Sequence, residues 1–146
     1  NYNTFSKEEE KINQELEKLN ELKENGTIII FSSHQMNHVE LFCEKLLILD
    51  HGKTIIEGNL KDIKNSYDER KILIKADISK SELSELEGVK NVTIKGDEIE
   101  VKIENKKYAK SIFEYVAKCK NVTKFEVVEL SLHEIFTKEV GVVREK

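Results

Sequence analysis

The sequence predicts two successive units, an incomplete α/β layer over residues 1–66 and an α+β unit of βαββαβ order over residues 67–146. Three observations lead to this reading. The run Thr27-Ile28-Ile29-Ile30-Phe31-Ser32 is β-branched and aromatic throughout, the pattern of a strand covered on both faces. From about Tyr67 the pattern changes to short alternating strands separated by capped helices. The chain contains no proline, so its breaks are marked by glycine, asparagine and capping side chains.

In the first unit, Ser6-Lys7-Glu8-Glu9 fits a capping box. Ile12, Leu16, Leu19 and Leu22 then recur at helical spacing until Asn25-Gly26 supplies a left-handed stop. The acidic run Glu8-Glu9-Glu10 suits a helix N-terminus, where the backbone dipole favours negative charge. The apolar strand over Thr27–Ser32 follows, ending in Ser33-His34. Met36, Val39, Leu41, Phe42 and Cys43 predict a short helix, and Lys45–Leu49 and Thr54–Glu57 flank Asp50-His51-Gly52-Lys53, a hairpin turn. A short helical piece around Leu60–Ile63 closes this unit.

In the second unit, Ile72, Ile74 and Ala76 alternate, and Ser79-Lys80-Ser81-Glu82 opens a helix carrying Leu83 and Leu86. Val92 and Ile94, a turn at Gly96-Asp97, and Ile99, Val101 and Ile103 make a hairpin. Asn105 caps a helix that places Ala109, Ile112, Phe113 and Val116 on one face, and Val122, Phe125 and Val127 form the last strand. This order is the split βαβ, ferredoxin-like arrangement. A third capping box, Ser131-Leu132-His133-Glu134, starts a terminal helix bearing Ile135 and Phe136.

With 36% charged residues, 38% hydrophobic residues and a net charge of −4, the chain reads as soluble and disfavours a basic nucleic-acid binder. No apolar run approaches the roughly 20 residues that cross a bilayer, and no basic-then-apolar signal opens the chain. A cytoplasmic location is expected. Cys43 and Cys119 form no Cys-x-x-Cys pair and read as free thiols, packed as small hydrophobes in a reducing compartment.

Gly26–Asn59 resembles the end of the nucleotide-binding domain of an ABC-transporter ATPase, a P-loop ATPase fold. There a strand delivers a histidine, a helix follows, and a hairpin of the form Leu-x-Leu-Asp-x-Gly-Lys-x-x-x-x-Gly closes the core. Here it reads Leu47-Ile48-Leu49-Asp50-His51-Gly52-Lys53-Thr54-Ile55-Ile56-Glu57-Gly58. The second unit, ending Ser131-Leu132-His133-Glu134-Ile135-Phe136, is similar to the accessory domain that follows the ATPase in the sodium- and drug-export branch. The resemblance covers about Leu19 to Val140. It makes residues 1–66 an α/β remnant of the nucleotide-binding domain and residues 67–146 a ferredoxin-like accessory domain with a terminal helix.

The resemblance implies that His34 is the switch histidine, which touches the γ-phosphate of ATP and helps hold the attacking water. The bland alternative is a polar residue at a strand end. Phosphate binding needs a glycine-rich loop with its lysine, and magnesium needs carboxylates at a strand end. No Gly-x-x-x-x-Gly-Lys-Ser/Thr, no Leu-Ser-Gly-Gly-Gln and no apolar strand ending in paired acids before Gly26 is present. The family's Gly-Leu-Asp-Pro stretch is replaced by Asn1-Tyr2-Asn3-Thr4-Phe5. This departure implies a truncated gene product or a chain begun inside the ATPase domain. The chain alone is expected to bind no cofactor or metal and to be no enzyme, ATP and magnesium belonging to the complete ATPase.

Expected partners are a second ATPase subunit or another copy of the chain, and an integral-membrane permease that would hold the subunit peripherally on the inner face of the plasma membrane; nucleic acid is not expected. His34 and His38 lie four apart, as metal ligands on one helix face can, but no third ligand is evident. His51 and His133 fall in a turn and a cap. The strand bearing Ile99, Val101 and Ile103 turns Glu98, Glu100, Lys102 and Glu104 the other way, a poor platform for RNA, and Tyr108, Phe113, Tyr115 and Phe125 read as core packing. An apolar strand with only a helix and a hairpin for cover leaves an edge exposed, which predicts self-association through Thr27–Gly58. The alternative function is a free-standing regulatory or ligand-sensing domain that works without ATP.

Overall fold

The computed structural model describes residues 2–145. The chain divides into two compact units, Asn1–Leu60 and Lys61–Lys146.

The first unit opens with helix α1 (Tyr2–Glu24). Ser6 lies inside this helix and is not its N-cap, because helical backbone already begins at Tyr2. The predicted stop forms a Schellman motif: Gly26 takes φ 81°, its N–H donates to Lys23 O, and the Thr27 N–H donates to Leu22 O. The strand expected over Thr27–Ser32 does not form. Residues 27–33 have no ladder partner among the described residues, and Ile28 and Ile30 are 87% and 91% exposed. A strand's backbone groups need a neighbouring strand, and among the described residues the only sheet of this unit is the hairpin that follows. An α/β layer is therefore not seen here.

Helix α2 (Met36–Phe42) leads into strands β1 (Lys45–Asp50) and β2 (Lys53–Asn59), paired antiparallel. Their turn has His51 at φ 50° and Gly52 at φ 74°, the doubly left-handed geometry that suits the twist of a two-residue hairpin. Leu46, Ile48 and Ile56 are buried, while Leu47 and Leu49, on the opposite face, are exposed. Helix α3 (Leu60–Asn65) follows.

The second unit runs β3 (Arg70–Asp77), α4 (Lys80–Ser84), β4 (Val89–Lys95), β5 (Glu98–Ile103), a 3₁₀ turn (Lys106–Tyr108), α5 (Ala109–Val116), β6 (Lys120–Val128) and α6 (Leu132–Glu145). Its sheet has the order β4-β5-β3-β6 with every neighbouring pair antiparallel, consistent with a ferredoxin-like domain. The core lies on one face, where Ile72, Ile74, Val92, Ile99, Val101 and Ile103 meet Leu83 of α4 and Ile112 and Val116 of α5.

The three caps predicted for this second unit are in place. Ser79 Oγ accepts from the Glu82 N–H at 3.1 Å, Asn105 Oδ1 from the Lys107 N–H at 2.9 Å, and Ser131 Oγ from the Glu134 N–H at 3.2 Å. Several expected core positions are not core. Phe113 is 50% exposed, resting edge-on against Phe125 with ring centroids 5.1 Å apart; Tyr115 is exposed, its hydroxyl donating to Glu82; and Ile94, Val122 and Val127 are exposed on the sheet's two outer strands. Side chains on edge strands and helix flanks lack a neighbour on one side, whatever their polarity. Cys43 and Cys119 are free but only half-buried, so neither is a fully packed core thiol. Burial nevertheless pushes the Cys43 thiol up, against the opposing pull of Lys23.

Candidate functional site

His34, the residue singled out by the sequence, sits on an exposed bend between the unpaired segment and α2. Ser33 Oγ accepts the Gln35 N–H at 3.0 Å, so the nearest amide is already taken by a local turn. His38 lies one helical step on and stacks edge-on against Phe42, centroids 6.3 Å apart. Phe42 also meets Phe31 edge-on at 6.1 Å, which anchors the end of the unpaired segment to α2.

A triphosphate needs several convergent N–H donors and a lysine. Among the described residues, His34 is exposed on its bend and the neighbouring Gln35 amide is held by Ser33. No group of three histidine, cysteine, aspartate or glutamate side chains among the described residues converges as metal ligands. No described helix is long and apolar enough to cross a membrane.

A second site, not foreseen from the sequence, lies in the βαββαβ unit. An open groove of about 510 Å³ runs between the first turns of α6 and the ends of β3 and β5, lined by Glu69, Arg70, Lys102, His133, Glu134 and Lys138 among others. Arg70, buried to 7% exposure, donates through Nη1 to the carbonyls of Tyr67 at 2.5 Å and Glu69 at 2.8 Å. Lys71 donates to Glu134 at 2.5 Å, and Lys138 forms an ion pair with Glu69. Burial works against ionisation of Glu134, but the hydrogen bonds from Lys71 and Ser131 prevail and hold its carboxyl below the usual glutamate range. The Tyr67 hydroxyl donates to Glu139, and burial together with that carboxylate raises its pKa. The sequence signal for the groove was slight, namely His133 and Glu134 inside a capping box.

The open face of the sheet is a lattice of ion pairs rather than a row of unpaired acids. Lys95 bridges to Glu100 at 2.6 Å and Lys124 to Glu98 at 3.1 Å, while Lys75 stands 3.3 Å from Asp97. The hydrogen bonds to Glu100 and Glu98 raise the pKa of Lys95 and Lys124 respectively.

Comparison with known proteins places these features in context. The model of the family described as "ATP-binding protein DrrA1-3-like, C-terminal domain" matches residues 58–140, more than half of the chain. An uncharacterized ABC transporter ATP-binding protein of Alkalihalophilus pseudofirmus is 42% identical over 132 residues, covering 89% of this chain and 49% of the relative. The uncharacterized ABC transporter ATP-binding protein YhaQ of Bacillus subtilis is 39% identical over 124 residues, covering 85% and 42%. The teichoic acids export ATP-binding protein TagH of Bacillus anthracis is 44% identical over 54 residues, 37% of this chain and 10% of that protein. The chain thus spans a little under half the length of the first two relatives. It belongs to the family of ABC-transporter ATP-binding proteins that carry the DrrA1-3-like C-terminal domain.

Proposed function

We propose that this chain is the interaction and regulatory portion of an ABC-transporter ATPase subunit that couples ATP hydrolysis to export through a membrane permease. The observation that carries this reading is the βαββαβ unit lying inside the family match, directly after a hairpin of the ATPase-closing form. On this reading residues 1–66 correspond to the closing part of the nucleotide-binding domain. The segment 27–32 pairs only with strands of the rest of the subunit, and its exposed isoleucines favour that view. His34 holds the switch position, while ATP and magnesium are bound by residues beyond this chain. The unit 67–146 touches a second ATPase subunit or the permease at the inner membrane face, and the chain alone neither binds nor hydrolyses ATP.

Calorimetric titration of the chain with magnesium-ATP should give no binding; micromolar affinity would overturn this part of the reading. In the complete subunit, His34→Ala should lower hydrolysis by about 100-fold or more, the scale on which removal of a positioned polar group acts. Deletion of residues 67–146 should leave basal hydrolysis within a few fold and abolish its response to the permease. Retained hydrolysis in His34→Ala, or an unchanged permease response after the deletion, would sink the respective assignment. The groove favours a second reading, in which the βαββαβ unit senses a small ligand, because Arg70, Lys102 and His133 are among the residues that line one open cavity.

A further inference from the structure

Strand β6 occupies one outer position of the four-stranded sheet, and among the described residues nothing pairs with its free edge. It is the longest strand of the sheet, yet none of its nine residues is buried. Its register against β3 is regular over Lys124–Val128, where Lys124, Phe125, Glu126, Val127 and Val128 oppose Lys75, Ile74, Leu73, Ile72 and Lys71. The other outer strand, β4, pairs as regularly with β5 over Asn91–Lys95, but it carries Lys90 and Lys95 with no acidic residue, so its edge offers no charge complement to a copy of itself.

We propose that the free edge of β6 pairs with the same edge of a second copy of the chain, joining two four-stranded sheets about a two-fold axis at Phe125. Among registers centred on Lys124, Phe125 and Glu126, charge and symmetry select one. In an isologous antiparallel pair, directly opposed residues must lie on the same face, so the two-fold passes through one residue. Centred on Lys124 or on Glu126, the pairing sets like charges directly against each other, which destabilises a sheet. Centred on Phe125, it sets Lys124 against Glu126 of the other copy twice over. Lys124 already stands 3.6 Å from its own Glu126, so the two copies form an alternating ring of four charges on the open face.

The other face supplies the apolar contribution. Phe125 and Val127 oppose the core residues Ile74 and Ile72, and so lie on the helix-bearing face. There Phe113, Phe125 and Val127 form an apolar strip along the edge, with Phe113 50% and Val127 44% exposed. The two-fold at Phe125 brings this strip against its own copy, covering apolar surface that the single chain leaves to water.

This pairing deepens the partner named above and rests on that reading only in requiring a second copy. The test is complementation between charge reversals, with folding checked by circular dichroism and mass by light scattering. Wild type should dimerise, whereas Lys124→Glu alone and Glu126→Lys alone should each weaken the dimer about tenfold or more. An equimolar mixture of the two variants should recover it, because each Lys then meets a Glu. A monomeric wild type, or a dimer indifferent to both reversals, overturns the proposal, the second outcome pointing to self-association through Thr27–Gly58. If the reversals do not fold, a background with Cys43→Ser and Cys119→Ser decides. Opposed Cα atoms lie about 5 Å apart, within disulfide range, so Phe125→Cys should crosslink between copies and Ile94→Cys on the opposite edge should not. Equal crosslinking at both positions, or none at Phe125→Cys, refutes the register. The ATPase measurements above are independent of these outcomes, so failure of one idea is distinguishable from failure of the other.

Discussion

Two stretches of this chain, each built on three consecutive aliphatic residues, have opposite fates. Thr27–Phe31 holds three consecutive isoleucines and a phenylalanine, yet it lies unpaired with two of those isoleucines almost fully exposed. Strand β3 holds Ile72, Leu73 and Ile74, and Ile72 and Ile74 are completely buried. The difference is in the neighbours. β3 has β5 on one side, β6 on the other and a helical layer over one face. Residues 27–33 have no ladder partner among the described residues. Apolar composition states that a segment gains by burial; whether it is a strand depends on what surrounds it.

Mutations should sharpen that contrast, beginning with the core. Ile74→Ala removes a fully buried side chain and should cost about 2–5 kcal/mol in urea denaturation, whereas Ile30→Ala should stay within about 0.5 kcal/mol. Equal costs would mean that the unpaired segment is packed after all. Next in size is Gly88→Ala. Gly88 has φ 85°, and an added Cβ would stand 2.1 Å from Cδ2 of the Tyr108 ring. Backbone strain and overpacking together should cost about 2–4 kcal/mol. Gly52→Ala in the first unit's hairpin meets open space at φ 74°, so only backbone strain of about 1 kcal/mol is expected.

The terminal cap gives a smaller effect with a definite sign in pH. Ser131→Ala should cost about 1 kcal/mol. The Glu134 carboxyl has a lowered pKa in the folded state, so the unfolded chain binds its proton more readily. The stabilisation is therefore fully present above the ordinary glutamate range and is lost as pH falls through and below that range. Urea midpoints of wild type and Glu134→Gln should converge on acidification; a gap that widened would refute the assignment. The smallest effect concerns exchange rather than global stability. Amides of residues 28–33 should exchange with deuterium at nearly unprotected rates, while those of β3 are protected to the level of global unfolding.

Much of the second unit was legible because its local signals agreed with one another. Ser79, Asn105 and Ser131 stand at helix starts as expected, and the alternation of Ile72 with Ile74 and of Ile99 with Val101 and Ile103 picked out the buried face. The groove was not legible, since Arg70, Lys102 and Lys138 come together from β3, β5 and α6 and no local pattern links them. Phe113 and Val127 read as core because periodicity states which face a side chain takes, not how far the neighbouring layer extends over it. Ser6 reads as a cap because helical backbone upstream of it carries no distinctive residue signal.

The sequence by itself determined the order of the elements, their caps and turns and the apolar faces of the βαββαβ unit, because each depends on residues within a few positions of one another. Only the tertiary structure decided that Thr27–Ser32 has no ladder partner among the described residues, that Glu98 and Glu100 of the open face are paired with lysines from other strands, and that β6 is left with a free edge. Each of these depends on residues distant in sequence arriving as neighbours, or failing to arrive. Strand formation and charge pairing are two-body interactions, and one segment read alone supplies a single partner.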